Sequence, residues 1–279
     1  MCANCTSENG GRLRIVDKEV RYVKSPSDQG TARPPPIPSS VPKIKLPALP
    51  RRMKVPYPWG EDNVYGGDII SYQEPGKPWI LSLAFLCRFA DDTSVGATDY
   101  RTWYRVSNDG GKTFSSLRPL VQSGSGYDLM HPIRPVWAGK NSFVYCGKVM
   151  SASNGEIMLP FYFWPLDQKG QPYNPAKAYT FTDAGVLIGK WTKDGSDLVW
   201  DLGQTVRIGA DQSTRGANEP TIVELECKGE FMMILRGSNQ NKEELPGYKW
   251  VSYSRDHCRT WSKPVPFGYS DGKLFFSPS

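Results

Sequence analysis

The sequence predicts an all-β fold assembled from a repeated unit, and three observations support this. The first is a turn that occurs twice, as Ser107-Asn108-Asp109-Gly110-Gly111-Lys112-Thr113-Phe114 and as Ser254-Arg255-Asp256-His257-Cys258-Arg259-Thr260-Trp261. Both copies fit Ser-x-Asp-x-(Gly)-x-Thr-(aromatic), with Cys258 where the pattern expects glycine. The Asp carboxylate can accept from the backbone N–H groups that follow it, glycine supplies positive φ, the hydroxyls lock the turn, and the ring packs back against a sheet. The second is composition: 9 Trp, 14 Tyr, 27 Gly and 24 Pro suit many short strands joined by frequent turns. The third is that no stretch of about 12 residues carries a helical apolar period.

Taken in order, the elements begin with one weakly alternating run, Leu13 to Val23. From Ser25 to Pro58 there are ten prolines, which bar a helix or a central strand and predict an extended linker or surface wrapping. The division expected is therefore an N-terminal extension and Pro-rich linker over 1–58 and a dense domain over 59–279. Within the domain, Asp68 to Tyr72 and Trp79 to Phe89 read as strands, and Arg101 to Val106 leads into the first turn. Ser142 to Met150, a tight turn at Asn154-Gly155 and a return strand Glu156 to Trp164 form a hairpin. Gly185 to Thr192 ends in Thr192-Lys193-Asp194-Gly195, a third and degenerate copy of the turn. Thr221 to Leu225 and Phe231 to Arg236 form another hairpin, and Tyr248 to Tyr253 leads into the second full turn. The turn aspartates are separated by 85 and 62 residues. Propeller blades of four strands take roughly 40–50 residues, so the gaps suggest two blades followed by one with an insertion, and the domain holds four to five blades. A β-sandwich is the structural alternative.

Composition also excludes functions. No segment approaches the roughly 18 uninterrupted apolar residues of a membrane span, and the first 25 residues lack the apolar core of a signal peptide, so they give no evidence of secretion. A formal charge of +6 spread along the chain describes a solvated surface rather than a nucleic-acid-binding one. Cys2-Ala3-Asn4-Cys5 has no second pair and no His cluster at zinc spacing, so no metal or cofactor is called for.

With these residues in hand, the chain resembles the sialidase (neuraminidase) superfamily over about residues 60 to 279. The turns match its Asp-box repeat. Leu81 to Arg88 followed by aspartates is similar to the family stretch in which a substrate-contacting arginine precedes the acid/base aspartate. Gly155 to Pro160 looks like a recurrent family strand. Asn218-Glu219-Pro220-Thr221-Ile222-Val223-Glu224-Leu225, then Gly229 to Arg236, is similar to the hairpin that carries a catalytic glutamate and a carboxylate-binding arginine. The resemblance implies a six-bladed β-propeller and retaining hydrolysis of terminal sialic acids, with a sialylated glycan or other carbohydrate as partner. A non-catalytic Asp-box propeller that binds carbohydrate or protein is the competing reading, and a propeller glycosidase acting on another sugar is a third.

The chemistry suits these residue types. Sialic acid carries a carboxylate on its anomeric carbon, which an arginine fork binds bidentately. That charge disfavours a carboxylate nucleophile, so sialidases use a tyrosine whose proton passes to a nearby Glu, while an Asp protonates the leaving oxygen. The resemblance places Asp92, Asp99 and Glu219 as catalytic candidates and Arg88, Arg236 and Asp91 as substrate-binding ones; Asp91, Asp92 and Asp99 all remain open for the acid/base role. Glu219 and Arg236 are expected opposite each other in a symmetric hairpin, with Pro220 forcing Glu219 into an extended conformation. His131 and His257 read as turn or surface residues, and Tyr248 and Trp250 as blade packing. The family's first triad arginine sits in an Arg-Ile-Pro stretch; the comparable place here reads Gly66-Gly67-Asp68-Ile69-Ile70, leaving Arg51, Arg52 or neither for that role. The chain reaches Ser277-Pro278-Ser279 before the family's third arginine and tyrosine nucleophile, and so reads as C-terminally truncated.

Overall fold

Seven-residue and nine-residue runs in which every side chain is apolar or small need cover on both faces, and the architecture supplies it. The structure is a computed structural model that describes residues 12–16, 19–23, 64–66, 70–74, 76–88, 99–128, 132–133, 136–137, 140–141, 143–145, 148–240, 242 and 244–276. Strands β1 (Arg12–Val16) and β2 (Glu19–Val23) form a hairpin by themselves. The first large sheet contains β3 (Val64–Gly66), β4 (Ile70–Gln73), β5 (Ile80–Arg88), β6 (Asp99–Ser107) and β7 (Arg118–Pro119), where β3 and β4 pair with successive parts of β5. A two-stranded excursion follows, β8 (Val136–Trp137) and β9 (Lys140–Asn141). The second sheet contains β10 (Phe143–Tyr145), β11 (Met150–Ser151), β12 (Ile157–Phe163), β13 (Asp183–Trp191) and β14 (Leu198–Leu202). The third is β15 (Asn218–Glu224), β16 (Phe231–Arg236), β17 (Lys249–Ser254) and β18 (Val265–Pro266).

Each large sheet is an antiparallel meander four strands wide, and the sheets stack face to face in chain order. The alternation of β12 decides this. Ile157, Leu159, Phe161 and Phe163 join Leu81, Leu83, Tyr104 and Val106 of the first sheet in one core. Met158 points the other way, with Val186 and Ile188 of β13, into a second core with Ile222, Phe231, Met233, Leu235 and Trp250 of the third sheet. Successive residues on a strand alternate between faces, so a strand buried along its length serves two cores at once. This is the blade-on-blade packing of a propeller, and the all-β propeller class stands. Among the described residues there are three blades.

The turn aspartates at 109, 194 and 256 fall at one topological position, between the third and fourth strand of each blade. The gaps of 85 and 62 residues therefore measure one blade each, a correction to the expectation of two blades and then one. Long connections inflate them, namely the β8–β9 excursion, the loop over 164–182 and the loop over 203–217. The Asn154-Gly155 turn forms as expected, with Gly155 at φ 83° and its N–H donating to the Ala152 carbonyl at 2.8 Å.

The two full turns are superimposable in their bonding. Ser107 Oγ donates to Asp109 Oδ1 at 2.8 Å and accepts from the Gly111 N–H at 2.9 Å, while Thr113 donates its N–H to Oδ1 at 2.9 Å and its hydroxyl to Oδ2 at 2.6 Å. In the second, Ser254 donates to Asp256 at 2.9 Å, Cys258 N–H donates to Ser254 Oγ at 2.9 Å, and Thr260 donates to both carboxylate oxygens at 2.8 and 2.6 Å. Cys258 takes the glycine place at φ 64°, beside His257 at φ 56°. Left-handed backbone at a non-glycine residue costs about 1–3 kcal/mol, so the turn's bonds and the full burial of Cys258 hold it there. The degenerate copy bonds differently: Asp194 accepts from the hydroxyls of Thr192 and Ser196 at 2.6 and 2.8 Å.

The turns also join neighbouring blades. Asn108 Nδ2 donates to the Gly195 carbonyl at 2.9 Å, and Tyr104 donates its hydroxyl to Asp197 at 2.7 Å. Arg259 donates to Glu156 at 2.6 Å, and Trp261 donates its N–H to the Gln204 side chain at 3.1 Å. The aromatic that ends each turn packs back as expected: Trp261 enters the second core, and Phe114 lies 4.3 Å beneath the Arg105 guanidinium. Among the described residues no helix is long and apolar enough to cross a membrane.

Two predictions follow from this packing. Leu159 is fully buried between two sheets, so Leu159→Ala should cost about 2–5 kcal/mol in denaturant unfolding; a loss under about 1 kcal/mol would contradict the double-faced burial of β12. The second concerns acid. Hydrogen bonds from Thr113 and Ser107 hold Asp109 far below the usual carboxylate range, those from Thr192 and Ser196 bring Asp194 to about 2, and at Asp256 burial is outweighed by the bonds of Thr260 and Ser254. A depressed carboxylate stabilises the fold above its unfolded pKa of about 3.9 and loses that contribution as pH falls through the folded value. Melting temperature should therefore drop between about pH 4 and pH 2, and Asp109→Asn with Asp256→Asn should lower it at pH 7 and flatten the acid slope.

Candidate functional site

Strand topology sends the turn aspartates to one end of each blade and the sequence-derived candidates to the other. The β15–β16 connection shares the end of the second full turn, where the His257 N–H donates to the Gly229 carbonyl at 3.0 Å. Glu219, near the start of β15, and Arg236, at the end of β16, are thus at the opposite end. In the first blade the same end is reached by the last residue of β5 and the first of β6, which are Arg88 and Asp99. These two are direct register partners. Asp91 and Asp92 fall in the connection between them and lie outside the described residues, as do His131, Arg51 and Arg52.

The expected meeting of Glu219 and Arg236 occurs. Arg236 Nη1 donates to Glu219 Oε1 at 2.8 Å, with 24% of the arginine side chain and 48% of the glutamate exposed. The route to it differs from the expectation. From Glu224↔Phe231 to Thr221↔Ile234 the hairpin is symmetric, but Arg236 then pairs with Asn218, one residue out of step. A β-bulge takes up Glu219 and Pro220, and Glu219 sits at φ 45°, left-handed rather than extended. The proline bias toward extended backbone is overridden because the bulge needs one residue to turn the strand, and bulges re-aim a side chain in this way.

The bulge is held from beneath by a buried polar network. Thr182 donates its hydroxyl to the Asn218 side chain at 2.9 Å and to the Ala217 carbonyl at 2.8 Å, and Asn218 Nδ2 donates to the Arg215 carbonyl at 3.0 Å. Ser213 donates to the Gly216 carbonyl at 2.7 Å, and the Ser238 N–H donates back to Ser213 at 3.1 Å. Thr214 and Asn239 join the two loops by a 2.8 Å bond. Asn218, Thr182, Ser213, Thr214 and Ser238 are all buried. Buried polar groups that satisfy one another specify a single arrangement, so the strained glutamate stands on a rigid base.

Nearby, Asp183 at the start of β13 is nearly fully buried and accepts bidentately from Arg207, at 2.8 Å from Nε and 2.7 Å from Nη2. Burial pushes this carboxyl up against the lowering pull of Arg207. Arg207 lies 4.9 Å over the Tyr173 ring. This pair fastens the loop over 203–217 to the second blade and was not anticipated from sequence. Nor was Arg215, whose guanidinium donates to Thr180 Oγ1 at 2.9 Å and lies 5.9 Å from the Tyr179 ring. The available signal was Arg215-Gly216 directly ahead of Asn218-Glu219-Pro220. Tyr248 and Trp250 pack in the second core as expected, and His257 is a turn residue. Among the described residues no group of His, Cys, Asp and Glu is placed to hold a metal ion.

Comparison with known proteins agrees with the repeat. The family of the BNR repeat-like domain matches residues 85–271. No curated protein sequence matches the chain. Among solved structures, the Hadza microbial sialidase Hz136 is 17% identical with a TM-score of 0.46, covering 72% of this chain and 33% of its own. The K499G mutant of the NanB sialidase from Streptococcus pneumoniae is 18% identical with a TM-score of 0.36, covering 60% of this chain and 19% of its own. A mutant β-fructofuranosidase of Microbacterium saccharophilum K-1 is 14% identical with a TM-score of 0.37, covering 67% and 44%. The chain thus spans a third or less of the length of these sialidases. With two matching Asp turns in equivalent places and a family match over most of its length, the chain belongs to the BNR repeat-like domain family.

Proposed function

We propose that residues 59–279 form part of a sialidase-type glycoside hydrolase, a retaining exo-α-sialidase that receives a terminal sialic acid at the blade end opposite the Asp turns. The observation that carries this reading is the Glu219–Arg236 contact, made on a strained bulge over a fully bonded polar base. An ordinary cross-strand ion pair needs neither the left-handed glutamate nor the buried network. Backbone strain of this kind persists where the surroundings over-determine it, and functional sites are where it collects.

In this reading Arg236 and Arg88 bind the sugar carboxylate, with Asp91 beside it. Glu219 takes the proton of a tyrosine nucleophile, and Asp92 or Asp99 protonates the leaving oxygen. Arg236 has donor capacity to spare, since its buried Nε has no hydrogen-bond partner among the described residues. A carboxylate arriving at the site can therefore be accepted without first breaking the contact to Glu219. Membership in a repeat family that uses the same Asp turns, and the pairing of Arg88 with Asp99 at the corresponding end of the first blade, support the assignment.

Titration calorimetry with a sialic acid analogue tests the site. Arg236→Lys keeps the charge but loses the planar fork, and should weaken binding about tenfold or more at an unchanged melting temperature. Unchanged affinity would remove Arg236 from the site. Binding without turnover of a fluorogenic sialoside would favour the non-catalytic carbohydrate-binding reading. The strain is tested separately. Glu219→Gly, which suits positive φ, should keep or raise the melting temperature while ending sialoside turnover, whereas Glu219→Val should destabilise by about 1–3 kcal/mol. Equal stability of the two variants would refute the strained bulge.

A further inference from the structure

Arg215 has no role in the hydrolysis scheme above, yet its backbone is fixed on three sides. Its N–H donates to the Ser238 carbonyl at 3.2 Å, and its carbonyl accepts from the Thr182 N–H at 3.1 Å and from Asn218 Nδ2 at 3.0 Å. Ser238 is two residues beyond Arg236, and Asn218 is the register partner of Arg236. Arg215 is therefore set against the end of the hairpin that carries the Glu219–Arg236 contact. Gly216 makes this possible: it sits at φ 70°, and a Cβ there would come within 2.2 Å of the Thr182 carbonyl oxygen.

The side chain of Arg215 is half-buried and poorly compensated. Nη2 and Nε donate to the Thr180 hydroxyl at 2.9 and 3.3 Å, and the guanidinium lies 5.9 Å from the ring of Tyr179. Thr180 is buried, while Tyr179 is 63% exposed and has its N–H held by Gln240 at 2.7 Å. Among the described residues no carboxylate pairs with Arg215, in contrast to Arg207, Arg236 and Arg259. Burial lowers the pKa of Arg215, the charge of Arg236 lowers it further, and Glu219 acts in the opposite direction. The groups that face it are thus Arg236, Glu219, Tyr162 and Tyr179. A desolvated cation with a like charge beside it and only a hydroxyl and a ring for company is unfavourable until an anion arrives.

We propose that Arg215 is a second anion-binding group of this mouth, a specificity-determining residue that, with Arg236, selects a sugar bearing a carboxylate over its neutral counterpart. The proposal rests on the sialidase-type reading and gives that site a second guanidinium from the loop ahead of β15. Two forks near one carboxylate raise the discrimination against an uncharged ligand, because the neutral ligand leaves both cations desolvated and unpaired. Tyr179, held at the rim beside Arg215, offers the sugar an exposed ring face.

The test uses a sialic acid analogue and its methyl ester, titrated into the full chain and into Arg215→Gln and Arg215→Lys. The full chain should prefer the acid to the ester by tenfold or more. Arg215→Gln should weaken the acid about tenfold, leave the ester within twofold and bring the ratio toward one. Arg215→Lys should fall between the two. A wild-type ratio in Arg215→Gln overturns the proposal while leaving the sialidase-type site standing. Failure of the full chain to bind either ligand overturns both. Should Arg215→Gln not fold, Arg215→Lys carries the test, and an unchanged acid-to-ester ratio there overturns the proposal.

Discussion

Burial of the second blade on both faces is the constraint on which the remainder of this structure depends. β12 and β13 give alternate side chains to two cores, one shared with the first blade and one with the third. Neither outer blade has a core of its own on that side, so each is completed by its neighbour. A sheet face of this size buried against another contributes roughly 25 cal/mol per Å² of apolar surface removed from water, which dwarfs any single hydrogen bond at the blade ends. The ends are consequently free to carry strained and polar features, because the stacked faces fix where the strands terminate.

The two ends of the blades use this freedom differently. At one end the Asp turns are local devices: each carboxylate is consumed by hydroxyls and N–H groups within four residues. Their outward contacts, Asn108 to Gly195 and Arg259 to Glu156, join one blade to the next. No acceptor capacity is reserved for a ligand. At the other end the polar groups bond across the chain, linking Thr182, Arg215, Asn218 and Ser238 from three separate segments. These bonds leave Glu219 left-handed, Arg236 with an unpartnered Nε, and Arg215 without a carboxylate. An end that stores strain and unpaired donors is chemically suited to a ligand, and an end that satisfies its own groups is suited to stability.

The two substitutions for glycine at positive φ follow the same division. Cys258 tolerates its conformation because it is sealed in the second core, where burial also pushes its thiol up and leaves it a small apolar filler. Glu219 tolerates its conformation because Asn218 beneath it is bonded on both of its side-chain polar atoms. The first is a packing solution and the second a polar one, and only the second leaves a charged group facing outward.

Sequence by itself determined the elements whose causes are local. The Asp turns, the Asn154-Gly155 hairpin and the alternating strands of the third blade were legible because turn chemistry and period-2 patterning act over a few residues. The proximity of Glu219 to Arg236 was legible for the same reason, since a short hairpin brings its ends together. Tertiary structure decided what depends on distant segments. Blade number could not be read from the spacing of the turns, because loops over 164–182 and 203–217 lengthen each repeat without adding strands. The bulge that turns Glu219 is imposed by Thr182, from another blade, acting through Asn218. Arg215 carries no signature of its own; it gains its setting only where Gly216 lets the chain pass within contact of Thr182, a meeting of residues over thirty positions apart that no local pattern encodes.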